Sequence, residues 1–291
     1  MISVLIPTWR LGVDVVLEAL EKQEYRDFEV ILVDGLHRWR YRKLDFSQFR
    51  FPIKHIPVED SLMPVVCHSR YRNTAIRAAR GDRMVFLADY ASPPPGFLGA
   101  HAQLAPDMIG IAPYRLYPPC QGSVAYPHRH TDFWAVIEEA IRGNYLYSIF
   151  TSPGAADKSI AKDLGVTTYP FRTSPEYPLL NIMHSPIPMQ LTMHWKSDSA
   201  PSAAVLAVNG WGLEYDGSGG YGDTDFALRL LRTGLQAVAI NLECPIIDMH
   251  LTMQSILTNV IHDKLDTHNL ALLRALEADA NRTLPLHGLN S

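Results

Sequence analysis

Cysteine is scarce in this sequence, with three residues among 291, at Cys67, Cys120 and Cys244. Their odd number, their wide spacing and the lack of a Cys-x-x-Cys pair argue against a disulfide framework and against a structural zinc site. Because unpaired thiols suit a reducing compartment, we expect a cytoplasmic protein.

Long apolar runs are also absent. No stretch approaches the roughly 20 apolar residues that a membrane-spanning helix needs, and the first residues are strand-like and do not resemble a signal peptide. We therefore expect no transmembrane segment.

Neither sign of charge is in large excess. Lys and Arg total 26 against 30 for Asp and Glu, and the formal net charge of −4 gives no overall attraction for nucleic acid or anionic lipid.

The first strand-like run is not followed by Gly-x-Gly-x-x-Gly, which weighs against a nicotinamide or flavin site. With 47% hydrophobic and 19% charged residues, the composition is that of a globular protein.

Short apolar runs alternate with helix-like segments in the first part of the chain. Each run is too short for a helix and is bounded by turn residues, so it predicts a buried strand. The predicted strands are Ile2–Ile6, which Pro7 ends, then Phe28–Val33, an edge strand at Pro52–Pro57, Met84–Leu87, Met108–Ala112, Ala203–Val208 and Ala237–Asn241. The predicted helices are Val13–Lys22, Pro64–Arg80, Gly96–Leu104, one that begins near Asp223, and Leu265–Leu276 with a mobile polar tail. Strand–helix–strand units of this spacing are parallel in nearly all cases, which predicts an α/β protein.

An acid follows two of the predicted strands. Asp34 follows the second strand, and Asp89 follows Met84–Leu87 just before three consecutive prolines. Parallel strands open on one edge, so we expect both acids and the loop Pro7–Arg10 to converge there, where an acid can hold a divalent cation against an anionic ligand. The alternative is that Asp89 only caps a turn before the prolines.

A glycine-rich stretch precedes the helix near Asp223. The spacing of Asp223 from the apolar residues of this helix predicts that its side chain points inward, whereas Asp225 lies on another face and can pair with Arg229 one turn away. A carboxylate at the mouth of a cleft is suited to act as a general base. The alternative is that both are ordinary first-turn acids that stabilise the helix dipole.

Five blocks of sequence, taken in order, resemble the family-two glycosyltransferases of the GT-A fold. They are ISVLIPTWR from Ile2, VDG at Val33–Gly35, RNTAIRAARGDRMVFL at Arg72–Leu87, PPPGFL at Pro93–Leu98 and NGWGLEYDGSGGYGDTDFALRL at Asn209–Leu230. The resemblance implies a mixed, mostly parallel sheet flanked by helices. Within one compact domain it implies a nucleotide-sugar-binding half at 1–114, a variable acceptor or lid segment at 115–202, and a half at 203–291 that carries the catalytic base and C-terminal helices.

The same resemblance implies transfer of a sugar from a nucleotide-diphosphate sugar to an acceptor nucleophile, usually with inversion. Asp223 matches the general base, and a divalent metal, Mn²⁺ or Mg²⁺, would be held by Asp89 and His250. Trp211 and Gly220 would form a wall for donor or acceptor, although Trp211 fits a core position equally well. The residues implied to bind the nucleotide are Pro7, Thr8, Trp9, Arg10, Asp34, Arg72, Asn73 and Asp89.

Two positions depart from the family pattern. The usual Asp-x-Asp metal motif is Ala88-Asp89-Tyr90, and the usual Glu-Asp pair is Gly222-Asp223. A single carboxylate can still serve, because Mg²⁺ usually keeps several waters. The alternatives are a catalytically impaired GT-A-like module that binds nucleotide or glycan, and a nucleotidyltransferase. The acceptor and the oligomeric state are left open.

Overall fold

A computed structural model gives the fold of the chain. It describes residues 1–8, 13–35, 37, 44–58, 68–89, 91–112, 114–116, 195–216, 221–240, 246–248, 269, 271–276, 278–279 and 281–290. The predicted sites Trp9, Arg10, Gly220 and His250 lie outside these residues. Most of the predicted variable segment 115–202 does too, so the three-part division of the chain stays a prediction.

The centre of the fold is a seven-stranded sheet with the order β3-β2-β1-β4-β8-β6-β9. Its strands are β1 Ile2–Thr8, β2 Phe28–Asp34, β3 Ile53–Pro57, β4 Arg83–Leu87, β6 Met108–Ile111, β8 Ser197–Pro201 and β9 Gln236–Ala239. Strand β8 is antiparallel to both of its neighbours, and the other neighbouring strands are parallel. This mixed, mostly parallel sheet confirms the predicted fold class.

Helices and a small second sheet complete the described part. The helices are α1 Val13–Glu21, α2 His68–Ala78, α3 Phe97–Ala102, α4 Ser202–Ala207 and α5 Gly222–Arg232, with a 3₁₀ turn at Leu213–Tyr215. The second sheet has the order β5-β10-β7, from Ala91–Ser92, Ile246–Asp248 and Tyr114–Leu116. Strand β2 is buried along its whole length, as expected for a parallel strand that is covered on both faces.

The strand predicted at Ala203–Val208 is wrong, because these residues form helix α4. A short apolar run does not distinguish a buried strand from a helix, and alanine favours the helix. The strand lies just before it, in β8, whose sequence SDSAP is buried at all five positions but carries no apolar pattern. The first strand does not end at Pro7 but continues to Thr8. Proline has no N–H to donate, and it is tolerated here because the pairing of β1 with β4 already ends at Leu5.

The mobile polar tail predicted at the end of the chain is also wrong for residues 281–290. Leu289 is buried, and its backbone N–H donates to the carbonyl of Asn209 at 2.9 Å. The guanidinium of Arg77 donates to the Leu289 carbonyl, and the carbonyl of His287 accepts from Leu213. The buried Leu289 and these hydrogen bonds thus dock the segment against α2 and the chain that follows α4.

Close backbone packing at Gly81, where β4 begins beside β1, leads to a stability prediction. A Cβ at this position would lie 2.6 Å from Ser3 N, 2.8 Å from Ile2 C and 2.9 Å from Met1 O. Since these are all backbone atoms, Gly81→Ala should lower the free energy of unfolding by about 1–3 kcal/mol. Gly99→Ala is the matched control, because its Cβ meets nothing within 4 Å and alanine favours the interior of α3. Urea unfolding of both variants tests this, and equal stabilities would contradict it.

Candidate functional site

The loop end of β1 lies between Asp34, which ends β2, and Asp89, which follows β4. Thr8 pairs with Asp34 in the β1–β2 register, and the backbone N–H of Gly35 donates to the Thr8 carbonyl at 2.8 Å. The hydroxyl of Thr8 donates to Asp89 Oδ2 at 2.9 Å. Both carboxylates are buried. The convergence of Asp34 and Asp89 at one sheet edge, expected from the parallel strands, is therefore confirmed.

Asp223 lies at the amino-terminal end of α5, where three side chains fix it. Arg72 Nη1 forms an ion pair with Asp223 Oδ1, and the indole N–H of Trp211 donates to the same oxygen at 3.4 Å. The indole N–H of Trp195 donates to the backbone carbonyl of Asp223 at 3.1 Å. The guanidinium of Arg72 also lies over the Trp211 ring, 4.8 Å from its centroid. The carboxylate is thus held in one orientation.

The two acids of this helix have the reverse of their predicted exposures. Asp225 is fully buried, whereas the Asp223 side chain is 31% exposed, so the prediction that only Asp223 points inward is wrong. The predicted pair of Asp225 with Arg229 is confirmed at 2.9 Å. Asp225 also pairs with Arg282, and Arg229 Nη1 donates to the Val208 carbonyl at 2.6 Å. The C-terminal segment covers this face of the helix and supplies the second arginine, which the helical spacing alone does not reveal.

An aromatic cluster lies behind Asp223. Trp211 stacks on Phe226 with ring centroids 3.6 Å apart, and Trp195 meets Phe226 edge-on at 4.7 Å. Trp211 is fully buried, which agrees with the core position that its sequence also allowed. Asn73 is buried too, and its side-chain amide exchanges two hydrogen bonds of 2.9 Å with the Trp211 backbone. Asn73 therefore fixes Trp211, and its predicted contact with the nucleotide stays a prediction.

Asp198 of β8 is a buried acid of this region that the sequence analysis did not find. Its Oδ2 accepts the backbone N–H of Trp195 at 2.8 Å, and the whole side chain is buried. Trp195 has a φ of 50°, which a residue with a side chain seldom adopts. By accepting this hydrogen bond, Asp198 stabilises the unusual backbone of Trp195, whose indole donates to the Asp223 carbonyl. A lone acid in the polar strand SDSAP gives no pattern that marks it.

The environment of Asp198 raises the pKa of its carboxyl to about 7. Burial is the largest cause, and the negative charge of Asp223 adds to it, against the hydrogen bond from the Trp195 amide. The carboxyl of Asp198 is therefore partly protonated near neutral pH.

This raised pKa predicts how stability depends on pH. As the pH rises, the unfolded chain loses the proton of this carboxyl around its ordinary pKa of 3.8, whereas the folded chain keeps it up to about pH 7. Stability from this group should therefore decrease as the pH rises from about 4 to about 7. Asp198→Asn has no carboxyl to titrate and so lacks this decrease. Its free energy of unfolding should therefore rise relative to that of the wild type between about pH 5 and about pH 8. Urea unfolding at both pH values measures the gain, and the exposed acid variant Asp107→Asn is the control. An identical difference at both pH values would contradict the assignment.

Two sets of residues have the chemistry to hold a metal. Asp89 lies at the sheet edge, and β10, which ends two residues before His250 in the sequence, pairs Asp248 with Ala91. His250 itself lies outside the described residues, so its predicted ligation of a metal together with Asp89 stays a prediction. Separately, Asp34, His37 and His55 place one possible ligand atom each within 4.8 Å of one another.

Comparison with known proteins shows similarity in structure and not in sequence. No family model matches the sequence, and no curated protein does. The structure is similar to S. aureus TarS 1–349 in complex with UDP-GlcNAc, with a TM-score of 0.54 and 14% identity over 94% of this chain and 65% of that one. TarS 1–349 itself gives a TM-score of 0.52 at 14% identity over 94% of this chain and 64% of that one. The chain thus spans slightly less than two thirds of these structures.

A third structure, the mannosyltransferase PcManGT from Pyrobaculum calidifontis in complex with GDP-Man and Mn²⁺, aligns less well. Its TM-score is 0.46 at 15% identity, over 97% of this chain and 72% of that one, and it does not bear on the fold. The sheet order and the TarS structures define the fold as a mixed, mostly parallel α/β fold that is GT-A-like. Of the described helices, none combines the length and the apolar character that a membrane crossing requires.

Proposed function

We propose that the chain is an inverting glycosyltransferase, related to family two, that transfers a sugar from a nucleotide-diphosphate sugar to an acceptor nucleophile. The observation that carries the proposal is the position of Asp223: a partly exposed carboxylate, oriented by Arg72 and Trp211, on a GT-A-like fold. The TarS structure with UDP-GlcNAc supports a nucleotide sugar as the donor class.

Asp223 is suited to act as the general base. Among the described residues, the hydrogen bonds and the ion pair of its carboxylate all involve Oδ1. Oδ2 is therefore the oxygen that can take the proton of the acceptor hydroxyl as the acceptor oxygen attacks the anomeric carbon. A base must lie within hydrogen-bond reach of that proton, and the contacts of Oδ1 keep Oδ2 in a fixed direction. The positive charge of Arg72 and the indole of Trp211 orient the carboxylate without occupying this second oxygen.

The edge residues of β1, β2 and β4 are suited to bind the nucleotide diphosphate. Asp34 and the loop that begins at Pro7 and Thr8 would hold the base and ribose. Asp89, whose Oδ2 is fixed by the Thr8 hydroxyl, would hold the divalent cation with His250. A bound Mg²⁺ or Mn²⁺ supplies positive charge that stabilises the leaving diphosphate. One carboxylate and one imidazole leave room for the waters that Mg²⁺ usually keeps.

The single acid of the metal motif favours a second candidate, a module that binds nucleotide or glycan without turnover. Incubation of the purified chain with a panel of nucleotide sugars and Mn²⁺ separates the candidates. Release of nucleoside diphosphate supports the glycosyltransferase, and binding without release supports the module. Nucleotidyl transfer would instead release pyrophosphate from a nucleoside triphosphate.

Asp223→Asn tests the assignment of the base. The variant keeps the hydrogen-bonding shape but cannot accept the proton, so transfer should fall by about 10²–10⁴-fold. Nucleotide affinity, measured by calorimetry, should stay nearly unchanged. The control is Asp82→Asn, since the Asp82 side chain is 93% exposed and lies at the opposite end of the strands, beside Met1. Equal loss of transfer and of nucleotide binding in Asp223→Asn would count against the base.

Asp89→Ala tests the metal site. Loss of the carboxylate should weaken nucleotide-sugar binding in the presence of Mn²⁺ and leave the metal-independent part of the affinity in place. Thr8→Val is a milder companion variant, because it removes the hydroxyl that donates to Asp89 and leaves the carboxylate. A metal dependence that is unchanged in Asp89→Ala would remove this residue from the site.

A further inference from the structure

A second group of metal-binding side chains lies at the carboxyl end of β2. Asp34 ends this strand, His37 follows three residues later, and His55 belongs to the neighbouring strand β3. In the parallel register His55 pairs with Leu32, and Asp34 lies two residues after Leu32 on β2. Because side chains alternate between faces along a strand, His55 and Asp34 lie on the same face of the sheet. The carboxylate is buried, His55 is half-buried and His37 is exposed.

The spacing of these atoms suits a tetrahedral metal ion. His55 Nε2 lies 3.2 Å from Asp34 Oδ2. Two ligands that each bind zinc at about 2.0–2.1 Å in a tetrahedral arrangement are about 3.4 Å apart, so this pair already has the required separation. All three ligand atoms lie within 4.8 Å of one another, and His37, being exposed, is free to close the remaining distance by side-chain rotation.

The surroundings hold the half-buried imidazole in place. The ring of His55 contacts the ring of Phe46 with centroids 5.2 Å apart, and His37 lies on it with centroids 5.4 Å apart. Two imidazoles and a carboxylate form a donor set that suits zinc and similar transition metals, whereas Mg²⁺ and Ca²⁺ take oxygen ligands. Three protein ligands also leave a fourth position open to water or to another ligand.

The geometry points to a zinc-type site formed by Asp34, His37 and His55, separate from the cation site at Asp89. Zinc bound there takes up the carboxylate of Asp34. Because that carboxylate is also proposed to hold the nucleobase or ribose, zinc and nucleotide compete for it. The competition rests on the proposed function, whereas the binding of zinc does not.

Zinc binding is tested on the full chain, prepared metal-free and without a polyhistidine tag. Titration with Zn²⁺ by calorimetry, and with Co²⁺ by visible absorption, should show one ion bound per chain in a tetrahedral environment. His37→Ala should weaken this binding by at least about tenfold. The exposed side chain of His37 makes this variant safe for folding, and His287→Ala, which removes another exposed histidine, is the matched control. Equal Zn²⁺ affinity in His37→Ala and the wild type would overturn the site.

The competition is tested with UDP as the probe. Zn²⁺ at a concentration that fills the wild-type site but not the weakened site of His37→Ala should weaken UDP binding in the wild type and have no such effect in the variant, which controls for zinc bound by UDP itself. The same weakening in both chains would overturn the competition. Asp89→Ala should still bind Zn²⁺ like the wild type, so failure of the proposed nucleotide site and failure of the zinc site give different results.

Discussion

Helix α2 is bound along its first turns by residues that lie 138 to 151 positions farther along the chain. Asp216 accepts hydrogen bonds from two backbone amides of its first turn, where a helix leaves its N–H groups without internal partners. One turn on, Arg72 pairs with Asp223, and the amide of Asn73 binds the Trp211 backbone. These contacts set the position of α5 against the amino-terminal strands, so the orientation of Asp223 depends on them.

Three acids near this contact differ in how deeply they are buried and in which cations pair with them. These two properties decide the charge and the chemical role that each carboxyl can have. Asp225 is buried between Arg229 and Arg282, and two cations balance its charge, which makes it a structural ion pair that is costly to break. Asp198 is equally buried but forms no ion pair of this kind among the described residues, and burial raises the pKa of its carboxyl to about 7. Of these three acids, only Asp223 combines a cationic partner with a partly exposed side chain. The proposed role of Asp223 as the general base depends on that combination.

Sequence reasoning found the parts of this fold that local pattern specifies. Apolar runs predicted β1, β2 and β4, and the expected parallel arrangement of these strands predicted that Asp34 and Asp89 lie at one edge of the sheet. It failed where the partner comes from a distant part of the chain. The C-terminal segment supplies Arg282, which pairs with the buried Asp225, and β8 holds Asp198 in a strand whose sequence has no apolar pattern. His37 and His55 are 18 positions apart in the sequence, and only the pairing of β2 with β3 brings them together.

Thr8 is the point at which the two possible cation sites are linked. Its backbone pairs with Asp34, and its hydroxyl binds Asp89, so a shift of β1 at this residue moves both carboxylates. The donor sets on the two sides differ: the described residues offer a carboxylate at Asp89, but two imidazoles with one carboxylate at Asp34. Since hard cations select the first and zinc selects the second, each ion can act at its own side of Thr8. Under the proposed function, an ion that binds Asp34 would leave Asp89 in place, and so would alter nucleotide binding without removing the carboxylate that is proposed to hold the divalent cation.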